Sequence, residues 1–221
     1  YRMNGYQYRR EHIVSHKYQV LAIRITTDNP EGLTLCVNMS RKPFEEQTGK
    51  ISENTVCNYG ECGPGGISYF TGARLDSDGG QIGAIGDFTW VRGAREAYIY
   101  LACGTDFARK NYRELCLERL ARAAQAGFEK ILRAHEEEFG ALYSRMDFSL
   151  GAHGVSEKAS DELLEEIKAG DSTHLNELAE TLFHYARYLL ISSSYDCLMP
   201  ANLQGIWNGE YAPPWQCEFT I

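Results

Sequence analysis

The residues best suited to chemistry lie near the C-terminal end of the chain. Met199-Pro-Ala-Asn-Leu-Gln-Gly-Ile-Trp-Asn208 and Ala212-Pro-Pro-Trp-Gln-Cys-Glu-Phe-Thr-Ile221 set Trp207 and Trp215 eight positions apart, among amides and an acid. A flat indole covers the C–H face of a sugar ring, and amide and carboxylate groups bond its hydroxyls. Pro200, Pro213 and Pro214 bar a helix here, so an irregular segment is expected. The same residues equally suit a loop pinned by two core tryptophans, and the pattern by itself does not choose between the two.

Other chemistry-bearing patterns fail on spacing. Gly60-Glu-Cys-Gly-Pro-Gly-Gly66 follows no clear strand, opens no helix and lacks a Lys-Ser/Thr partner, so it reads as a loop and not a phosphate cradle. His135-Glu136-Glu137-Glu138-Phe139 puts Phe139 where a second zinc ligand would stand. Ser192-Ser193-Ser194 has no nucleophile elbow around it, and His184 in Phe183-His184-Tyr185 reads as a core or cleft residue in mid-helix. The six histidines are scattered. The seven cysteines, Cys36, Cys57, Cys62, Cys103, Cys116, Cys197 and Cys217, are irregularly spaced and complete no zinc site. They read as reduced thiols, which favours a cytoplasmic location, and neither a metal nor an organic cofactor is implied.

Composition bounds the function class. Hydrophobic residues make up 43% of the 221 and charged residues 24%, ordinary for a globular chain and unlike a disordered or collagenous one. The net charge of -8 repels a phosphate backbone, so a nucleic-acid partner is not expected. No apolar run approaches the ~18 residues of a membrane span, so no membrane partner is expected either. The chain opens on Tyr1 with no signal-peptide pattern, and a start upstream of Tyr1 is expected. The oligomeric state stays open.

The elements that must position the C-terminal segment follow from hydrophobic period. Tyr6, Tyr8 and Arg10 alternate with polar neighbours, Val20–Ile25 is β-rich, and Leu33, Leu35, Val37 and Met39 share one face at period two. Asn29-Pro-Glu-Gly32 supplies the turn between the last two of these strands. Gly72–Leu75 and Gln81–Ile85 flank Asp76-Ser-Asp-Gly-Gly80, which reads as a hairpin, and Phe88–Val91 and Ala97–Ala102 add two strands. Residues 40–66 are polar and glycine-rich and read as a long loop. From Tyr112 the period becomes helical through Leu142, with Gly127 placed to bend or divide the helix. The stretch after Gly151 up to Ser172 is polar and acidic and reads as a linker or surface loop, and Leu175, Leu178, Ala179, Leu182, Ala186, Leu189 and Leu190 form the apolar stripe of a further helix.

Phe183-His-Tyr-Ala-Arg-Tyr-Leu-Leu190, Ser192 to Ser194, Pro200-Ala-Asn-Leu-Gln-Gly-Ile-Trp-Asn208, Pro213-Pro-Trp215 and Glu218-Phe-Thr-Ile221 occur in one order. Together they resemble the signature of glycoside hydrolase family 95, the inverting α-L-fucosidases. Tyr8-Arg-Arg-Glu11 and Tyr18–Ile25 resemble the end of that family's N-terminal sandwich, and His135 with Arg145-Met-Asp-Phe-Ser-Leu-Gly151 its linker.

The resemblance implies a mixed fold: a partial antiparallel β-sandwich over 1–108, a helical linker over 109–172 and the start of an (α/α)6 barrel over 173–221. It implies a glycan or oligosaccharide substrate, hydrolysis with inversion, and carbohydrate metabolism as the setting. It puts the catalytic groups beyond Ile221: two Asn and an Asp orient the attacking water and a Glu acts as general acid. The chain is then expected to be a fragment, inactive alone, whose substrate-binding candidates are Gln204, Trp207, Asn208, Trp215 and Thr220. Thr220 stands where many relatives carry His, near the C5 substituent of the sugar. A smaller residue with a hydroxyl leaves room for a hydroxymethyl group, so α-L-galactosides are expected beside α-L-fucosides. The alternative is a non-catalytic carbohydrate-binding sandwich.

Overall fold

The structure, a computed structural model, describes residues 1–151 and 156–219. The chain divides into two units, Tyr1–Glu138 and Phe139–Ile221.

The first unit is built on two antiparallel sheets. The strands are β1 (Arg2–Met3), β2 (Tyr6–Ser15), β3 (Val20–Thr27), β4 (Leu33–Val37), β5 (Gln47–Ser52), β6 (Thr55–Glu61), β7 (Ser68–Asp78), β8 (Gln81–Ile85), β9 (Phe88–Ala94) and β10 (Glu96–Thr105). Seven form one sheet in the order β1-β2-β3-β10-β7-β6-β5, and β4-β9-β8 form the other. The period of two decides which residue goes where. On β3, Val20 and Ala22 join one cluster and Ile25 the other; on β10, Tyr100 and Ala102 join the first and Ala97 the second. The second cluster brings Leu33, Val91 and Ala94 of the small sheet against Ile25, Leu75 and Ala97 of the large one. The first is closed by helices: Cys116, Leu120 and Ala123 of α1 (Tyr112–Ala126) and Phe128 and Ile131 of α2 (Phe128–Tyr143). Gly127, at a φ of 76°, divides these two helices as the sequence leads one to expect.

Polar contacts fix the helices to the strands within this unit. Arg24 on β3 donates through Nε to Glu11 Oε2 on β2 at 2.6 Å, pairs with Glu129 of α2, and lies 4.6 Å over the Phe128 ring. The Arg24 guanidinium holds the Glu11 carboxyl below the usual range, and the two carboxylates raise the guanidinium in turn. Arg122 of α1 donates to the carbonyls of Lys17 and Tyr18 in the β2–β3 turn, each at 3.1 Å.

Three local expectations are corrected. Residues 40–66 are no long loop: they hold β5 and β6, and β6 is paired on both sides, by β5 and by β7. Its polar appearance misleads because Asn58, 2% exposed, is satisfied in place by a 2.6 Å hydrogen bond to Glu45 Oε2. Asp76–Gly80 does not close a hairpin. β7 lies in the large sheet, while β8 pairs with β9 in the small one, so the turn carries the chain from one sheet to the other. The stretch after Gly151 is no plain surface loop: it contains α3 (Ser160–Lys168), whose first turn is closed by the Glu162 carboxylate accepting from the Ala159 N–H at 3.1 Å.

The second unit contains α3, α4 (Leu175–Ser194) and an irregular C-terminal segment with a short 3-10 turn at Pro214–Cys217. No helix among the described residues is long and apolar enough to cross a membrane.

Candidate functional site

The scaffold of the site is α4. Its apolar stripe carries Leu182 and Leu190, exposed by 66% and 64%. Its polar side chains fall at intervals of three and four, so they share one helix face and can bind a single extended segment. That segment is 143–151. Arg187 donates to the carbonyls of Tyr143 at 2.8 Å and Met146 at 2.7 Å, and His184 Nε2 lies 3.1 Å from the Phe148 carbonyl. Glu180 accepts from the Leu150 N–H and from Ser149 Oγ, and Asn176 donates to the Leu150 carbonyl at 3.0 Å. Phe148 and Phe183 meet with ring centroids 4.4 Å apart. His184 is therefore a helix-to-segment bond, and its Nδ1 is buried without a partner among the described residues.

The helix ends at Ser194, because Tyr195 adopts an extended conformation. The chain then folds into two linked turns. Asn202 accepts on its backbone carbonyl from the Gly205 N–H at 2.9 Å and on its side chain from the Gln204 N–H at 3.2 Å. Gln204 in turn accepts from the Trp207 N–H at 3.3 Å. The Leu203 N–H donates to the Glu218 carbonyl at 3.0 Å, which ties these turns to the Pro214–Cys217 turn.

The five sequence candidates fare differently. Gln204 and Trp207 come together in one turn: the Gln204 side-chain oxygen is buried with no partner among the described residues, and Trp207 is 51% exposed. Trp215 stands 79% exposed, at a φ of 52° within the 3-10 turn. Asn208 is occupied locally, its Nδ2 donating to the Glu210 carbonyl at 2.8 Å and its Oδ1 accepting from the Glu210 N–H at 3.0 Å. Thr220 lies outside the described residues. Gly205, between Gln204 and Trp207, was not singled out by sequence, although a glycine two residues before a tryptophan was the available signal. Among the described residues no group of three or more His, Cys, Asp or Glu side chains could hold a metal ion.

The segment thus presents two exposed indoles and an amide oxygen with no partner among the described residues, on a turn-built surface. Comparison with known proteins places this layered antiparallel β unit and the helices that follow it beside two glycosyl hydrolase domains. Residues 1–110 match the N-terminal domain of glycosyl hydrolase family 65, and residues 127–221 match the glycosyl hydrolase family 95 catalytic domain. Residues 127–221 are thus similar to a family 95 catalytic domain, as the order of the C-terminal motifs leads one to expect.

"Alpha-L-fucosidase 2" of Arabidopsis thaliana is 24% identical over 97% of this chain and 30% of its own length. "Probable alpha-fucosidase A" of Aspergillus niger is 25% identical over 58% of the chain and 17% of its own length. The chain thus spans less than a third of either relative. A solved structure described as "Putative kojibiose phosphorylase from human microbiome" superposes on 66% of this chain and 23% of its own, with a TM-score of 0.50 at 10% identity. That likeness shows the fold alone.

Proposed function

We propose that this chain forms the sandwich, the linker helices and the entry to an (α/α)6 barrel in a hydrolase that removes terminal α-L-fucosyl groups from glycans with inversion. The observation that carries the reading is the match of residues 127–221 to the family 95 catalytic domain. Two relatives named as fucosidases support it. In this reading the catalytic acid and the water-orienting groups are contributed from beyond Ile221, and the chain supplies part of the pocket wall. Trp207 and Trp215 stack on sugar faces, which suits their exposure. The buried Gln204 oxygen accepts from a sugar hydroxyl; left without a donor it costs about 1–3 kcal/mol. Asn208 binds through whatever its local turn leaves free, and Thr220 leaves room for the hydroxymethyl group of α-L-galactosides.

Protonation of the leaving oxygen on one face and attack of water on the other need only carboxylates, amides and water. The test is hydrolysis of an aryl α-L-fucoside and the matching α-L-galactoside by the protein that carries this chain together with the rest of its catalytic domain. Turnover of the fucoside supports the proposal, and none under any condition of pH overturns it. Turnover of the galactoside within about tenfold of the fucoside supports the role given to Thr220, since one extra polar group in a pocket discriminates at about this scale. Turnover by the 221-residue chain alone contradicts the placement of the catalytic groups.

A further inference from the structure

We infer that Gly205 is the positioning residue for the Trp207 indole, holding it as a fixed sugar-stacking platform against the last turn of α4; this rests on the reading of Trp207 as pocket wall. Gly205 is the second residue of the turn closed by the Trp207 N–H on the Gln204 carbonyl, and its φ is 64°, a conformation that glycine adopts without the steric cost of a Cβ. This turn folds the side chain of Trp207 back over Gly205. A Cβ built on Gly205 would lie 2.8 Å from both Cε3 and Cζ3 of the indole, closer than two carbons can approach, and 3.8 Å from the Cβ of Ser193.

The six-membered ring of Trp207 therefore occupies the space that any side chain at position 205 would take. Ser193, only 4% exposed, lies beside this space at the end of α4. One part of the indole is thus packed on the glycine while the residue remains 51% exposed, so a stacking platform would be held by protein on one part and open to ligand on another. A platform fixed before binding also spares the cost of ordering the side chain when the sugar arrives. The positive φ and the absent Cβ are separate demands on position 205, and they can be tested separately. Asn tolerates positive φ but carries a Cβ, whereas Ala carries a Cβ and resists the conformation.

The experiment compares Gly205→Asn, Gly205→Ala, Trp207→Ala and the double variant Gly205→Asn with Trp207→Ala. In the protein with its complete catalytic domain, kinetics are read on an aryl α-L-fucoside. In the 221-residue chain, 5-fluorotryptophan resonances report each of the three indoles, and unmoved Trp90 and Trp215 signals show that the variants fold. Expected are a shifted Trp207 resonance in Gly205→Asn and a KM raised about tenfold in both Gly205→Asn and Trp207→Ala. With kcat within about threefold, this is the signature of lost uniform binding. The double variant is then no worse than Trp207→Ala. If Gly205→Asn leaves the resonance and KM of the unsubstituted protein while Trp207→Ala raises KM, only the backbone conformation matters and the inference is overturned, with the pocket-wall reading intact. A Trp207→Ala variant with unchanged KM overturns both.

Discussion

In Tyr1–Glu138, Leu75, Val91, Ala73 and Ile131 are sealed from solvent; in Phe139–Ile221, Leu182, Leu190, Leu198 and Trp215 are exposed by 64–79%. The first unit closes two apolar clusters on the two faces of its large sheet. The second is held in good part by hydrogen bonds from α4 to the backbone of segment 143–151. Hydrophobic burial is the dominant stabilising contribution to folding, and hydrogen bonds exchanged with water contribute only about 0.5–1.5 kcal/mol each. The buried clusters thus lie in the first unit, and the exposed Trp207 and Trp215 and the unsatisfied Gln204 oxygen lie in the second.

The sharpest way to break this contrast is to delete side chains in both units. Leu75→Ala should lower unfolding stability by about 2–5 kcal/mol in a urea titration, whereas Leu182→Ala should stay within about 0.5 kcal/mol. Equal losses would erase the distinction.

Next in size is Arg24, whose removal leaves Glu11 with the exposed Arg9 as its charge partner and uncovers the Phe128 ring. Arg24→Ala should cost about 1–3 kcal/mol by the same titration. Because Glu11 is held below its ordinary pKa, its contribution is present at neutral pH and is lost as pH falls through the lowered value. Glu11→Gln should therefore flatten the loss of stability below about pH 4.5, the ordinary Glu value from which the lowered folded value departs. A variant as acid-sensitive as the original would count against the pairing.

Thiol chemistry gives a smaller effect that marks the clusters directly. Burial pushes the Cys116 thiol up to about 11, and Cys57 is raised by the same cause. At pH 8, Cys36, Cys103 and Cys197 should be alkylated quickly, and Cys57 and Cys116 only after unfolding, as read by peptide mass mapping. Smallest is Glu180→Gln. It should speed amide exchange at Leu150, whose N–H loses its charged acceptor, while leaving the urea midpoint in place.

The sandwich was legible in the sequence where side-chain period and burial agree. The β-rich runs Val20–Ile25 and Ala97–Ala102 fall within β3 and β10, and Gly127 announces the break between α1 and α2. Legibility failed where the deciding partner is distant. Thr55–Glu61 looks like loop because Asn58 is polar, yet Glu45 satisfies it inside the sheet. Gly79 and Gly80 signal a tight turn, but which sheet receives β8 is settled by its pairing with β9.

The site shows the same limit. Residue types pointed to Gln204, Trp207 and Trp215, which carry the unsatisfied oxygen and the exposed indoles. Residue types alone did not reveal that Asn208 spends both ends of its amide on Glu210, two residues on, or that Gly205 keeps open the space the Trp207 ring fills.

Proton NMR of an aryl α-L-fucoside during its first turnovers, by the protein carrying this chain with its complete catalytic domain, tests the functional account most directly. The β-anomer of L-fucose as first-formed product, equilibrating later to the mixture, is the predicted result. The α-anomer appearing first, or no fucose released, contradicts it.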